Sequence, residues 1–200
     1  MCIRDSFDGE LAFSYLVKQC EFGPRYPGSK AHENLKDYFV EFLSTKADKV
    51  IVDAHNIKHP YNDYNIPLYN IVAKYNIDAK ERILLLAHWD TREIADKEKI
   101  IDNQTKPIMG ANDGASGIAV LMTLAQILYD FPLNNIGVDL LFVDGEDMGR
   151  HGEIENFCLG TKLYSKNMQE PYPRLAICLD MVADKDPEFK MEYFSYIQAE

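Results

Sequence analysis

The stretch Arg82–Asp90, RILLLAHWD, sets five consecutive apolar residues in front of a histidine, a tryptophan and an acid. A strand that is apolar on both faces is covered on both, as in the centre of a sheet enclosed by helices. Val138–Val143 (VDLLFV) and Leu175–Leu179 (LAICL) share this character, and each reads as a buried strand. Between the first two strands lies Gly110–Leu128, GANDGASGIAVLMTLAQIL. Its glycine- and alanine-rich loop carries one acid, Asp113, and runs into a helix apolar on most faces, hence buried.

Working outward, Phe7–Cys20 places Leu11, Tyr15, Leu16 and Cys20 at helical spacing. Ser29–Leu43 reads as a second helix, capped by Ser29, with Leu35, Tyr38, Phe39 and Phe42 on one face. Two prolines and two glycines bar regular structure from Phe22–Ser29 between them. Lys49–His55 and Tyr69–Tyr75 read as strands, Asn76–Lys80 and Pro132–Asn135 as turns, and Arg92–Met109 and Arg150–Asn156 as polar loops. Ala115–Tyr129 and Leu159–Asn167 complete the helices. This order predicts an α/β fold in three layers, α/β/α, with a mostly parallel mixed central sheet and an antiparallel N-terminal hairpin.

With 200 residues, 46% of them hydrophobic, the chain can bury one substantial core. A net charge of −11 argues against a nucleic-acid partner, which needs a basic face. The acid excess fits a solvated surface or carboxylates gathered around a cation. No apolar run approaches the roughly 20 residues of a membrane span. Cys2, Cys20, Cys158 and Cys178 form no C-x-x-C pair and read as buried free thiols. Residues 1–6, MCIRDS, match the translation of a sequencing-library adapter found in metagenomic assemblies and are set apart from the fold.

In parallel sheets ligands sit beyond the carboxyl ends of the strands. Here those ends carry His88-Trp89-Asp90, then Asp144-Gly145-Glu146-Asp147, then Asp180. Asp113 joins them from the loop side. Any single acid of this set could be solvated or cap a helix. All of them at one edge require protonation or a cation, and a histidine with carboxylates and no thiolate suits zinc or a similar divalent ion.

At these positions the sequence resembles the zinc-dependent aminopeptidases and their relatives, the glutaminyl cyclases, over Phe7–Glu200. The matching motifs are His88-x-Asp90, Gly110-Ala-Asn-Asp-Gly-Ala-Ser-Gly117, Glu146-Asp147 and the strand-terminal Asp180. The bacterial cyclase branch is the more similar. Phe22-Gly-Pro-Arg-Tyr-Pro-Gly-Ser29 with Ala31-His32, Ala87-His-Trp-Asp-Thr-Arg92, Lys106-Pro107 and Phe157-Cys-Leu-Gly160 carry that likeness, as does Glu-Asp in place of Glu-Glu.

The resemblance implies a zinc aminopeptidase-like fold, with residues 7–200 the N-terminal part of one catalytic domain cut short at its C-terminus. It implies conversion of an N-terminal glutamine to pyroglutamate with loss of ammonia, on peptide or protein N-termini. Asp113 and Asp147 would hold one zinc, Glu146 would be the general base, and Asp180 would hold the substrate amine. In a two-zinc aminopeptidase, the alternative, His88 and Asp180 would serve a second ion. A non-catalytic binding domain is a third reading, which the intact Glu146 argues against. Asp90 and Trp89 would lie beside the site, Trp89 as packing. The family's last zinc ligand is a histidine far downstream, and none follows His151. A polypeptide ending at Glu200 is therefore expected to bind zinc weakly and to be inactive. A periplasmic or secreted location is the family's expectation.

The other polar residues carry simpler expectations. Arg92 should pair with a loop acid such as Asp96. His151 should be exposed, and His32, His55 and His59 at the surface or satisfied.

Overall fold

The computed structural model describes residues 7–150, 152–189 and 197. The adapter-like residues 1–6, with Cys2, and the expectation for His151 lie outside them.

Helices α1 (Gly9–Glu21) and α2 (Lys30–Ser44) begin where the capping residues dictate. Asp8 accepts from the Leu11 N–H at 2.9 Å, and the Ser29 hydroxyl accepts from the His32 N–H at 3.1 Å. Strands β1 (Lys49–Lys58) and β2 (Asn65–Tyr75) form the expected hairpin, longer than their alternation indicated. Then come β3 (Arg82–His88), α3 (Ala115–Asp130), β4 (Gly137–Val143), α4 (Leu159–Asn167) and β5 (Leu175–Cys178). Single 3-10 turns at Ile101–Asn103 and Ile154–Asn156 interrupt the two polar loops.

The sheet order is β1-β2-β4-β3-β5. β4, β3 and β5 are mutually parallel, whereas β2 joins β4 antiparallel, so the sheet is mixed. Alternation along the strands makes two cores. Ile71, Ala73, Ala87, Val138, Leu140 and Phe142 face α2 and α3, meeting Leu35, Phe39, Ile118, Leu121 and Met122. Val72, Leu84, Leu141 and Val143 face the other way, toward Tyr164 of α4 and Met168. The three layers follow from these two faces. Asp139, an acid within a buried strand, is neutralised by Arg82 at 2.6 Å and Lys74 at 3.0 Å.

β5 departs from expectation. Leu175–Leu179 reads as a buried strand, yet Leu175 and Ile177 are 52% and 42% exposed. β5 pairs only with β3, at the edge of the described sheet, and its apolar side chains are left uncovered there. The cysteines also depart: among the described residues Cys20 and Cys158 are half-buried and Cys178, on β5, is exposed, all three as free thiols.

Candidate metal and active site

The parallel register of β3, β4 and β5 brings three strand ends to one rim. His88 is the last residue of β3 and is buried. Its Nε2 lies 3.0 Å from Asp113 Oδ1 and 3.6 Å from Asp180 Oδ1. One ligand atom from each of His88, Asp113 and Asp180 falls within 4.8 Å of the others. Sequence reasoning put all three at the rim; the fold makes them a group.

Asp90, fully buried behind this group, works on the main chain. Its two carboxylate oxygens accept the N–H groups of Glu146 (3.0 Å) and Asp147 (3.1 Å). The carbonyl of Glu146 accepts from the Cys158 N–H at 3.0 Å. Glu146 is therefore held on both sides, beside the His88 group but outside it. Asp147 is outside it too, with Arg92 Nη1 3.7 Å from its carboxylate. Arg92 also pairs with Asp96 at 2.9 Å, as expected.

The electrostatics reflect crowded negative charge. Burial, with the charges of Asp90 and Asp113, lifts the Asp147 carboxyl to about 7 against the pull of His88 and Arg92. Glu146 is raised as well, by burial first and then by Asp90, Asp180 and Asp113. Burial alone would lower His88; Asp113, Asp180 and Asp90 reverse this and hold it protonated well above its ordinary range. Among the described residues the only ion-pair partner of Asp113 and Asp180 is that imidazole. A divalent cation fits this donor set of nitrogen and oxygen atoms and would replace the proton on His88.

Close backbone approach completes the fit. Gly114, at φ +90°, leaves no room for a side chain: a Cβ there would lie 2.8 Å from the Asp90 carbonyl oxygen and 3.2 Å from His88 Cε1.

Trp89 packs rather than facing the rim: it is fully buried, stacked on His32 at 4.5 Å and edge-on to Phe39. Two residues beyond the expected set, Arg25 and His32, shape the site. Arg25, buried, donates Nε to the Trp89 carbonyl (2.8 Å), Nη1 to Met109 (2.6 Å) and Nη2 to Gly110. It thus ties the end of β3 to the Asp113 loop. His32, also fully buried, donates Nε2–H to Asp144 at 2.8 Å, and Asp144 further accepts the N–H of Tyr69 and of Gly145. Their signals were present in the Phe22–Ser29 and Ala31-His32 motifs, without a partner to name. His59 bonds to Glu93 at 3.0 Å and is satisfied as expected, whereas His55 Nε2 lies 2.9 Å from Asp53 without a hydrogen bond.

A histidine and several carboxylates at the carboxyl rim of an α/β sheet define a divalent-metal class of site. Residues 70–199 match the model for peptidase family M28, and the chain belongs to that family. It is similar to the crystal structure of Porphyromonas gingivalis glutaminyl cyclase (35% identity, TM-score 0.90, 96% of this chain and 67% of that one). It is equally similar in sequence to a leucine aminopeptidase precursor from Bacteroides thetaiotaomicron (35%, TM-score 0.83, 90% and 64%). A curated relative, the glutaminyl-peptide cyclotransferase of Drosophila melanogaster, is 25% identical over 174 residues, 83% of this chain. The chain spans 46% of that relative's length.

Proposed function

We propose that the whole protein is a zinc-dependent glutaminyl-peptide cyclotransferase, acting on peptide or protein N-termini. The observation that carries this reading is the placement of Glu146. It is half-buried, fixed through its own N–H by Asp90, raised in pKa, and set beside the His88–Asp113–Asp180 group without belonging to it. Such a carboxylate suits a general base next to an activated carbonyl. The glutaminyl cyclase relatives and the Glu-Asp pair favour cyclisation over hydrolysis.

Asp113 and Asp147 would hold the zinc ion of a one-metal enzyme. When bound, zinc supplies Lewis acidity to the γ-carboxamide oxygen of the substrate glutamine. The substrate's α-amine forms the new C–N bond at that carbon, and the bond to the carboxamide nitrogen breaks. Glu146 takes the proton from the amine and returns it to the departing nitrogen, which leaves as ammonia. Asp180 holds the amine in place. Asp90 keeps Glu146 aimed by accepting its N–H.

The second reading is a two-zinc aminopeptidase. Its supporting observation is that Asp113 meets both His88 and Asp180, as a shared ligand would. A periplasmic or secreted location, the family's expectation, goes with this proposed function.

Glu146→Gln tests the assignment of the base in the full-length protein. We expect kcat to fall about 10²–10⁴-fold, in line with loss of a general base, with little change in bound zinc. Retention of full activity would overturn the mechanism.

A further inference from the structure

The function above leaves part of the Gly110–Gly117 motif unexplained, and the fold shows what that part touches. Asp113 and Asp180 lie far apart in sequence, yet both meet His88. What fixes Asp180 is the chain on either side of it. Before it, the Leu179 N–H donates to the Leu86 carbonyl at 2.8 Å, continuing the β3–β5 ladder. After it, the Val182 N–H donates to Ser116 Oγ at 3.0 Å and the Ala183 N–H to Asn112 Oδ1 at 2.9 Å. Ser116 Oγ–H in turn donates to the carbonyl of Asn112, closing the unit. Between these anchors Met181 adopts φ +50°, a left-handed conformation uncommon for a residue with a side chain. Gly117 permits the approach: a Cβ there would overlap the Leu179 carbonyl oxygen.

We infer that Asn112 and Ser116 are positioning residues for the metal site, forming a clamp that sets Asp180 against Asp113 and His88. The inference rests on the second reading of the previous subsection, in which Asp180 joins His88 and Asp113 around a zinc ion, and deepens it. Asn112 flanks Asp113 directly, so one short segment carries a candidate ligand and also fixes another candidate ligand's backbone. Ser116 is buried, and its oxygen both gives and accepts a hydrogen bond inside the clamp. Without the clamp, Val182 and Ala183 lose the hydrogen bonds their N–H groups donate here, and the left-handed turn at Met181 can relax and swing Asp180 away.

The test uses the full-length protein and Zn²⁺ in competition with a chelator. Wild type, Asn112→Ala, Ser116→Ala and the double variant are compared, with Ser116→Thr as the variant that keeps the hydroxyl. Melting of the metal-free proteins is followed in parallel. Outer partners of metal ligands affect affinity by about 10–100-fold. The double variant should lose zinc affinity in that range, each single variant less, and Ser116→Thr should stay near wild type, while metal-free melting moves little. If Ser116→Thr misfolds, Asn112→Ala alone decides, since Asn112 is only half-buried. Wild-type zinc binding with unchanged affinity in the double variant overturns the clamp and leaves the cyclase reading standing. A lower melting temperature with unchanged zinc affinity also overturns it, as a purely structural role. Wild type that takes up no zinc overturns both.

Discussion

At the scale of single residues, the site depends on side chains that hold the backbone around it. Asp90 shows this most clearly, since its two oxygens hold the consecutive N–H groups of Glu146 and Asp147. Burial alone would raise its pKa, but His88 and those two N–H groups more than offset that and hold it below the ordinary carboxylate range. A folded-state pKa below the unfolded one makes a contribution that is complete above the unfolded value, about 3.9, and fades as pH falls through the folded one. In Asp90→Asn one N–H of the pair faces an NH2 group, and we expect a loss of about 1–3 kcal/mol at neutral pH. The variant's denaturant midpoint should also fall less steeply than wild type's in the acid range. Parallel acid limbs for the two metal-free proteins would count against this role.

At the scale of elements, the rim is assembled by fasteners between segments distant in sequence. Arg25 joins the β3 end to the Asp113 loop, and the His32–Asp144 bond joins α2 to the end of β4. Both His32 and Asp144 are fully buried, so removing His32 leaves the Asp144 carboxylate with only the N–H groups of Tyr69 and Gly145. His32→Ala should cost about 1–3 kcal/mol, the usual penalty for leaving a buried acceptor short of a partner. Equilibrium unfolding measures this, and a loss no larger than that of a surface substitution would contradict it. These fasteners also mark what could be read from the sequence. The helix start at Ser29, the hairpin, the central strands and the convergence of His88, Asp113, Glu146, Asp147 and Asp180 were legible, because periodicity and strand ends fix them locally. Arg25 was not: its three carbonyl acceptors lie in Trp89, Met109 and Gly110, and no local pattern points across such distances. The exposure of β5 does not follow from its own residues alone. An apolar run shows that a strand can be buried, whereas its neighbours in space decide whether it is.

At the scale of the molecule, the net charge of −11 goes with a rim of carboxylates. Of the arginines near the site, Arg25 is spent on main-chain carbonyls, and Arg92 pairs with Asp96 and approaches Asp147. No helix among the described residues is long and apolar enough to cross a membrane. The membership in family M28 and the likeness to both glutaminyl cyclases and a leucine aminopeptidase precursor leave two chemistries built on one arrangement. They differ in what attacks the carbonyl: the substrate's own amine, or water. The product mass therefore separates them without reference to metal count. The decisive measurement is mass spectrometry of the full-length zinc-loaded protein incubated with a peptide beginning in glutamine and another beginning in leucine. We expect the glutamine peptide to lose one ammonia and keep its length, while the leucine peptide is untouched. A leucine peptide shortened by its first residue, with the glutamine peptide uncyclised, would contradict it.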